Sequence, residues 1–181
     1  MNTTASSNTE ASSATDTTQA TPPAVPALEW SESLVVGNAR MDDTHAEFVD
    51  MVARLRAAPS AEQLALYREL LAHTVEHFER EDRWMQATGF AADNCHSGQH
   101  ATVLDTMRKV ESHYLEGDTD ILIRMAEALA EWFPQHTQNM DAGLAMHMNN
   151  LGFDTATETL TDPSRTVPEA SMSGCGSVSC S

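Results

Sequence analysis

Apolar residues recur at three- and four-residue spacing over four segments of the chain, a pattern that predicts four helices with one buried face each. The first helix is predicted to begin near Asp42 or Asp43, with Thr44 in its first turn, because short polar side chains can bond the unpaired N–H groups there. Pro59 ends this helix. No segment shows a convincing strand pattern, so the folded part is predicted to be all-α.

Glycines mark the ends of the next two predicted helices. The second helix follows a capping box made by Ser60 and Gln63 and stops at Gly89, a residue that readily takes the left-handed conformation. The third helix stops at Gly117. Short connections between the helices predict an up-down-up-down antiparallel four-helix bundle, preceded by an N-terminal extended arm in which Trp30 packs on the domain.

The fourth predicted helix contains a proline within its periodic pattern. Asp118 can cap its start, and Pro134 lies shortly before His136. Because proline lacks a backbone N–H and its ring crowds the preceding turn, we expect a kink or an interruption at this point. The placement of His136 therefore depends on how the helix accommodates the proline.

The two ends of the chain differ in composition from the middle. Residues 1–27 and 154–181 are rich in Thr, Ser, Ala and Pro, and such segments bury too little apolar surface to offset the entropy of ordering. We expect a disordered leader and a disordered tail around a folded bundle at residues 28–153. The tail cysteines, Cys175 and Cys180, belong to no disulfide framework and are left without a role.

The charge balance narrows the classes of partner. The formal net charge is -17, and the ten lysines and arginines are scattered rather than clustered. Nucleic acid and anionic membrane surfaces are therefore poor partners, since both require a basic patch. No run approaches the roughly 18 apolar residues of a membrane-spanning helix, and the start resembles no secretory signal. These features favour a cytoplasmic protein, and they are compatible with a monomer without fixing the oligomeric state.

Histidines and acids fall on the predicted buried faces at the spacing of metal ligands. Residues four apart lie about one helical turn apart on the same face, and two such pairs occur in the chain. The inward-facing set has five imidazoles and two carboxylates: His45, His77, Glu81, His96, His100, His136 and Asp141. Burying these groups without partners would cost roughly several kcal/mol, and a metal centre shared by all seven would offset that cost. The set therefore indicates a metal site.

The types of ligand restrict the metal. Imidazole and carboxylate without cysteine suit iron, zinc, copper or manganese, and they disfavour calcium and iron–sulfur clusters. Seven ligands also exceed what one tetrahedral zinc ion requires. Two metal ions therefore fit the set better than one.

The ordered motifs resemble those of the hemerythrin family, in particular its single-domain bacterial members. The resemblance covers roughly residues 30–151 and rests on Trp30, Val36-Gly37, Asp42-x-x-His45, His77-Phe78-x-x-Glu81, His96-x-x-x-His100 and Trp132-x-x-x-His136-x-x-x-x-Asp141. The chain departs from the family pattern at Asp82, where a second glutamate is usual, and at Thr137, where isoleucine is common.

The resemblance implies a protein that binds O2 reversibly at a di-iron centre and that is not an enzyme. By that resemblance His96, His100 and His136 hold a six-coordinate iron, His45 and His77 hold a five-coordinate iron, and Glu81, Asp141 and an oxo or hydroxo group bridge them. The implied role is oxygen carriage, storage, delivery or sensing, the last two with a protein partner. A dry pocket is expected, with these candidates for its lining: Phe48, Phe78, Leu104, Trp132 and Met140.

Two enzymatic alternatives remain open from the sequence. The first is a di-iron oxidase, or a peroxide- or nitric-oxide-processing enzyme, on the same bundle, although the chain contains no Glu-x-x-His motif of the ferritin-like oxidases. The second is a zinc peptidase, since His73, Glu76 and His77 match the inverted His-x-x-Glu-His pattern. That interpretation leaves most of the seven-residue set unexplained.

Overall fold

The computed structural model describes residues 27–90, 95–162 and 164, and this part of the chain is a helical bundle. The helices are α1 (Ala39–Ala57), α2 (Ser60–Thr88), α3 (Cys95–Leu115), α4 (Ile121–His136) and α5 (Ala142–Leu151). Helices α1 and α3 each pack against both α2 and α4, which closes the ring of a four-helix bundle. The predicted all-α fold is confirmed. None of the described helices combines the length and apolar character needed to cross a bilayer.

The start of α1 lies about one turn earlier than the sequence predicts. Asn38 caps the helix, with its side-chain oxygen accepting a hydrogen bond from the backbone N–H of Met41 at 3.3 Å. The side chain of Asp42 instead accepts a hydrogen bond from the N–H of Val36 at 2.8 Å and so holds the preceding segment. A helix start near Asp42 or Asp43 was therefore wrong, because Asn38 is an equally good cap and lies outside the apolar pattern.

The predicted capping box at the start of α2 does not form. Pro59 occupies the cap position in an extended conformation, and Ser60 is already the first helical residue. Gln63 reaches back through its side-chain N–H to the carbonyl of Ala58 at 3.0 Å. At the other end of α2, Gly89 has φ of 67°, as the left-handed helix stop requires.

The irregularity in the fourth helix is a π-helical turn that begins after Pro134, not an interruption at the proline itself. Pro134 stays inside α4, and the π turn at Thr137–Asp141 joins α4 directly to α5. In a regular α-helix, residues five apart point about 140° away from each other. A turn closed by i→i+5 hydrogen bonds brings such residues onto one side. The π turn therefore directs His136 and Asp141 into the same space.

Two separate apolar clusters fill the bundle. The larger cluster includes Phe48, Tyr67 and Phe133, and the smaller one includes Trp84 and Met148. Along α1, along α2, and along α4 with α5, the residues of the seven-membered polar set lie between members of these two clusters. The polar set is thus a layer across the bundle with an apolar core on each side.

The segment before α1 contacts the bundle differently from the prediction. Trp30 is 38% exposed, whereas Leu28 and Leu34 are buried and join the larger cluster. A short 3₁₀ turn, Glu32–Leu34, places the second leucine. The arm is therefore attached by aliphatic side chains rather than by the tryptophan.

A short hairpin follows α5, although the sequence shows no strand pattern. Strands β1 (Phe153–Asp154) and β2 (Thr159–Leu160) pair antiparallel, with Phe153 buried in the smaller cluster. Two-residue strands are too short for alternation to be visible in the sequence. All of the hairpin except Phe153 lies within the segment assigned to the tail. Residues 1–26, 163 and 165–181, which include Cys175 and Cys180, lie outside the described residues, and the domain limits stay a prediction.

Tyr67→Phe tests the packing of α2 against α3. The Tyr67 hydroxyl is buried and donates a hydrogen bond to the carbonyl of Met107 at 2.8 Å. Removing it should lower the free energy of unfolding by about 1 kcal/mol, measured by urea denaturation. The half-buried Tyr114 supplies the control, since Tyr114→Phe should change stability by less than about 0.5 kcal/mol. Equal effects of the two substitutions would contradict the role of this hydrogen bond.

Candidate metal centre

The structure brings all seven residues of the predicted set into one buried layer. Helix α1 contributes His45, α2 contributes His77 and Glu81, α3 contributes His96 and His100, and the π turn positions His136 and Asp141. Each of these residues is at most 3% exposed. We call His45 and His77 the two-histidine group, and His96, His100 and His136 the three-histidine group.

Glu81 faces both groups with different oxygens. Its Oε1 lies 3.0 Å from Nε2 of His77 and 3.9 Å from Nε2 of His45. Its Oε2 lies 3.4 Å from Nε2 of His96 and 3.3 Å from Nε2 of His100. One carboxylate oxygen is therefore directed at each histidine group.

Asp141 repeats this arrangement from the π turn. Its Oδ2 lies 3.3 Å from Nε2 of His45. Its Oδ1 lies 3.0 Å from Nε2 of His96 and 3.2 Å from Nε2 of His136. Both carboxylates thus connect the two-histidine group to the three-histidine group.

Many polar atoms in this layer are buried without a hydrogen-bond partner. They include Nδ1 and Nε2 of His45 and His96, Nδ1 of His77, Oε2 of Glu81, and both carboxylate oxygens of Asp141. Such atoms carry a free-energy cost unless something in the site satisfies them. Two sets of ligand atoms are each as compact as the ligands around a metal ion, because the atoms within each set lie within 4.8 Å of one another. One set comes from Glu81, Asp141 and the three-histidine group, and the other comes from Glu81 and the two-histidine group. The donor set and its unsatisfied atoms therefore fit bound cations.

The electrostatics of the layer also favour positive charge. Burial acts to raise the pKa of Glu81 and Asp141, but the surrounding histidines outweigh it and hold both values well below the usual range. Burial acts to lower the pKa of His96, but the adjacent carboxylates of Asp141 and Glu81 raise it to about 10. For His136 burial dominates and the pKa is lowered. The carboxylates are thus anions that need either protons on the histidines or metal cations beside them.

The outer nitrogens of His100 and His136 contact side chains that the ligand pattern does not include. Nδ1 of His100 lies 3.2 Å from Oδ1 of Asp82, and Nδ1 of His136 lies 3.1 Å from Oε1 of Gln99. Sequence analysis missed Gln99, because it directly precedes His100 and adjacent helical residues point in different directions. Hydrogen bonds of this kind orient metal-binding imidazoles.

Aromatic rings contact both histidine groups. Phe78 stacks on His100 with ring centroids 3.9 Å apart. Phe133, which was absent from the predicted lining, meets His45 edge-on at 5.3 Å, and Phe48 stacks on Phe133 at 4.5 Å. Trp132 stacks on His136, whereas Leu104 and Met140 are only half-buried.

The zinc-peptidase pattern is not assembled. Nε2 of His73 lies 3.2 Å from Oε2 of Glu47, and the His73 side chain is 15% exposed. Glu76, the base required by that pattern, is exposed on the other side of α2. His73 belongs to neither group of clustered ligand atoms, whereas His77 belongs to one. The motif match is therefore a consequence of helical spacing alone.

A helical bundle with a buried layer of histidines and carboxylates defines a metal-binding protein of the bundle class. Residues 36–147 match the family model described as the hemerythrin HHE cation binding domain. The chain belongs to the hemerythrin family, as its motifs predict.

Curated relatives span most of the folded chain. The chain is 33% identical over 134 residues to a bacteriohemerythrin of Ralstonia nicotianae, which covers 74% of this chain and 98% of that protein. It is 25% identical over 120 residues to a bacteriohemerythrin of Pseudomonas aeruginosa, with 64% and 78% covered. A bacteriohemerythrin of Stenotrophomonas maltophilia is 23% identical over 132 residues, with 68% and 86% covered.

Thr137 is the exception among the threonines of the described helices. The hydroxyls of Thr44, Thr74, Thr88, Thr102 and Thr106 each donate to the carbonyl four residues earlier. Thr137 is fully buried, and its hydroxyl has no hydrogen-bond partner within the described structure. It lies four residues before Asp141 in the π turn, where residues four and five apart share a side.

Thr137→Val tests whether this hydroxyl is unsatisfied. Removing a buried hydroxyl without a partner should raise the unfolding free energy of the metal-free protein by about 1 kcal/mol, measured by urea denaturation after chelation. Thr74→Val is the matched control, because that hydroxyl is equally buried and bonds to the carbonyl of Leu70 at 2.7 Å. The control should lower stability by about 1 kcal/mol. A decrease of the same size for Thr137→Val would refute the assignment.

Proposed function

We propose that this protein binds O2 reversibly at a non-haem di-iron centre. In the proposed centre the three-histidine group holds one iron, the two-histidine group holds the other, and Glu81 and Asp141 bridge them with an oxo or hydroxo group. The observation that carries the proposal is the arrangement of the carboxylates, each of which presents one oxygen to each histidine group.

The unequal histidine groups support a site for a small ligand. The two-histidine group offers one imidazole fewer, so its metal would keep a coordination position that the protein does not fill. We assign O2 to this side. A pair of ferrous ions, when bound, supplies the two electrons that O2 takes up on binding and returns on release.

The residues around the two-histidine group are suited to excluding water. Phe133 meets His45 edge-on, and Phe48 stacks behind it, with both phenylalanines only 1% exposed. An apolar wall on this side slows the entry of the water and acid that would displace a reversibly bound ligand. The larger apolar cluster, to which both rings belong, keeps this wall in place.

The balance of ligand types favours binding over oxidation chemistry. Five neutral imidazoles and two carboxylates place less negative charge on the irons than the carboxylate-rich cage of the ferritin-like oxidases. A less anionic site stabilises the ferrous state, which is the state that takes up O2. The di-iron oxidase alternative is therefore the outcome to exclude by experiment.

The direct test is iron content followed by reversible oxygenation. The purified protein should contain two irons per chain. After anaerobic reduction, exposure to air should produce a visible charge-transfer band that disappears when O2 is removed. Fewer than two irons would contradict the di-iron centre. Rapid and irreversible conversion to the diferric form would instead indicate an oxidase.

His77→Ala tests the ligand assignment on α2, with His73→Ala as the matched control one turn earlier. His77 is 3% exposed and lies 3.0 Å from Glu81, whereas His73 pairs with Glu47 at the edge of the bundle. We expect His77→Ala to lose one iron or to abolish oxygenation, and His73→Ala to keep both. Unchanged iron and an unchanged spectrum in His77→Ala would refute the assignment, and metal loss in His73→Ala would revive the zinc-peptidase interpretation.

A further inference from the structure

Gln99 connects two side chains of α4 from its position on α3. Its Oε1 lies 3.1 Å from Nδ1 of His136 and accepts a hydrogen bond from Nε1 of Trp132 at 3.4 Å. The two rings of α4 are themselves stacked, with centroids 4.3 Å apart and planes 28° apart. One amide oxygen therefore contacts both members of a stacked pair.

The indole determines which atom of the amide faces the histidine. Trp132 can only donate at Nε1, so the atom of Gln99 that it contacts must be the oxygen. That oxygen is an acceptor, and His136 must therefore carry its proton on Nδ1 to bond it. Nε2 of His136 is left with its lone pair free, and it lies 3.2 Å from Oδ1 of Asp141. The contacts fix the tautomer that can bind a metal through Nε2.

The neighbouring histidine of the same group has a different kind of acceptor. Nδ1 of His100 lies 3.2 Å from a carboxylate oxygen of Asp82, whereas the acceptor for His136 is a neutral amide. Both kinds of acceptor orient an imidazole, but a carboxylate also makes the imidazole a stronger electron donor. Replacing the neutral amide at position 99 by a carboxylate thus keeps the orientation of the His136 ring and changes its strength as an electron donor, so the two effects can be measured separately.

The contact lies at the edge of the bundle and not in its apolar cores. Gln99 and Trp132 are half-buried and border a surface groove of about 390 Å³. Neither apolar cluster has Gln99 as a member. Substitution of Gln99 should therefore leave the fold intact, so its effect on metal binding can be measured.

We propose that Gln99 is a positioning residue, which holds His136 in the orientation and tautomer required for metal binding while Trp132 fixes the Gln99 amide. The inference rests on the proposed function to the extent that His136 is a metal ligand. It goes beyond the ligand set because it assigns a role to a residue that carries no ligand atom.

The test measures zinc affinity by competition with a chromophoric chelator, using metal-free protein. Gln99→Leu removes the acceptor at similar volume and should weaken zinc binding by about 10- to 100-fold. Gln99→Glu keeps an acceptor oxygen and should restore affinity to near the wild-type value. Gln86→Leu, an exposed glutamine on α2, is the matched control and should have no effect. Circular dichroism of each metal-free variant establishes that it is folded.

Two further readouts separate positioning from general stability. In the zinc-loaded wild type, long-range proton–nitrogen NMR should place the His136 proton on Nδ1. In the iron-loaded protein, Gln99→Glu should shift the midpoint potential to a more negative value, because its carboxylate donates more strongly than the amide. Trp132→Phe keeps an aromatic ring and removes the indole donor, so it should weaken zinc binding when Gln99 is present. In a protein that already carries Gln99→Leu, the same substitution should cause no further loss, because the amide that the indole fixes is absent.

The outcomes distinguish this inference from the proposed function. If wild-type protein binds no iron and no zinc, the proposed function fails. If wild type binds metal and folded Gln99→Leu binds zinc with unchanged affinity, the positioning role is refuted. A proton on Nε2 of His136, or equal losses in Gln99→Leu and Gln99→Glu, would also overturn it. If Gln99→Leu does not fold, the zinc affinities of the other two variants test the proposal. Affinity should stay near the wild-type value in Gln99→Glu and fall in Trp132→Phe, and equal affinities in the two variants would overturn it.

Discussion

Two carboxylates buried in one layer are the constraint on which this structure depends. Glu81 and Asp141 are both fully buried, and the groups that face them are imidazoles from the four helices α1 to α4. Anions in such a place are tolerated only when positive charge lies beside them. The four helices must therefore keep the histidine nitrogens close to the carboxylate oxygens, at the 3.0 to 3.9 Å separations seen in the layer. The apolar clusters on either side of the layer maintain that spacing.

The π turn solves a geometric problem that a regular helix cannot. His136 and Asp141 are five residues apart, and an uninterrupted α-helix would direct them to different sides. The local widening of the turn lets one short segment supply both a histidine and a carboxylate to the layer. Irregular helical turns cost stability, and they persist where the side chains they place are needed.

Much of the candidate site could be predicted because metal ligands on helices obey strict spacing. The pairs His77 with Glu81 and His96 with His100 follow from one helical turn, and the structure brings both into the layer. The start of α1 was missed because Asn38 and Asp42 are both suitable caps. Contacts between different helices, such as that of Gln99 with His136, depend on how helices are rotated in the bundle, and local patterns do not contain this information.

The division of the interior into two apolar cores has a consequence for how the molecule opens. A polar layer contributes little to the hydrophobic free energy that couples neighbouring parts of a core. The end formed by Trp84, Met148 and the hairpin is an apolar cluster separate from the larger core, and we expect it to open as a separate unit of local unfolding. Ions bound in the layer would join residues of α1 to α4 and the π turn, and so would link the two units. Hydrogen exchange of the backbone amides at the smaller end should therefore slow when metal ions occupy the layer. This readout reports metal binding without relying on the visible spectrum of the metal.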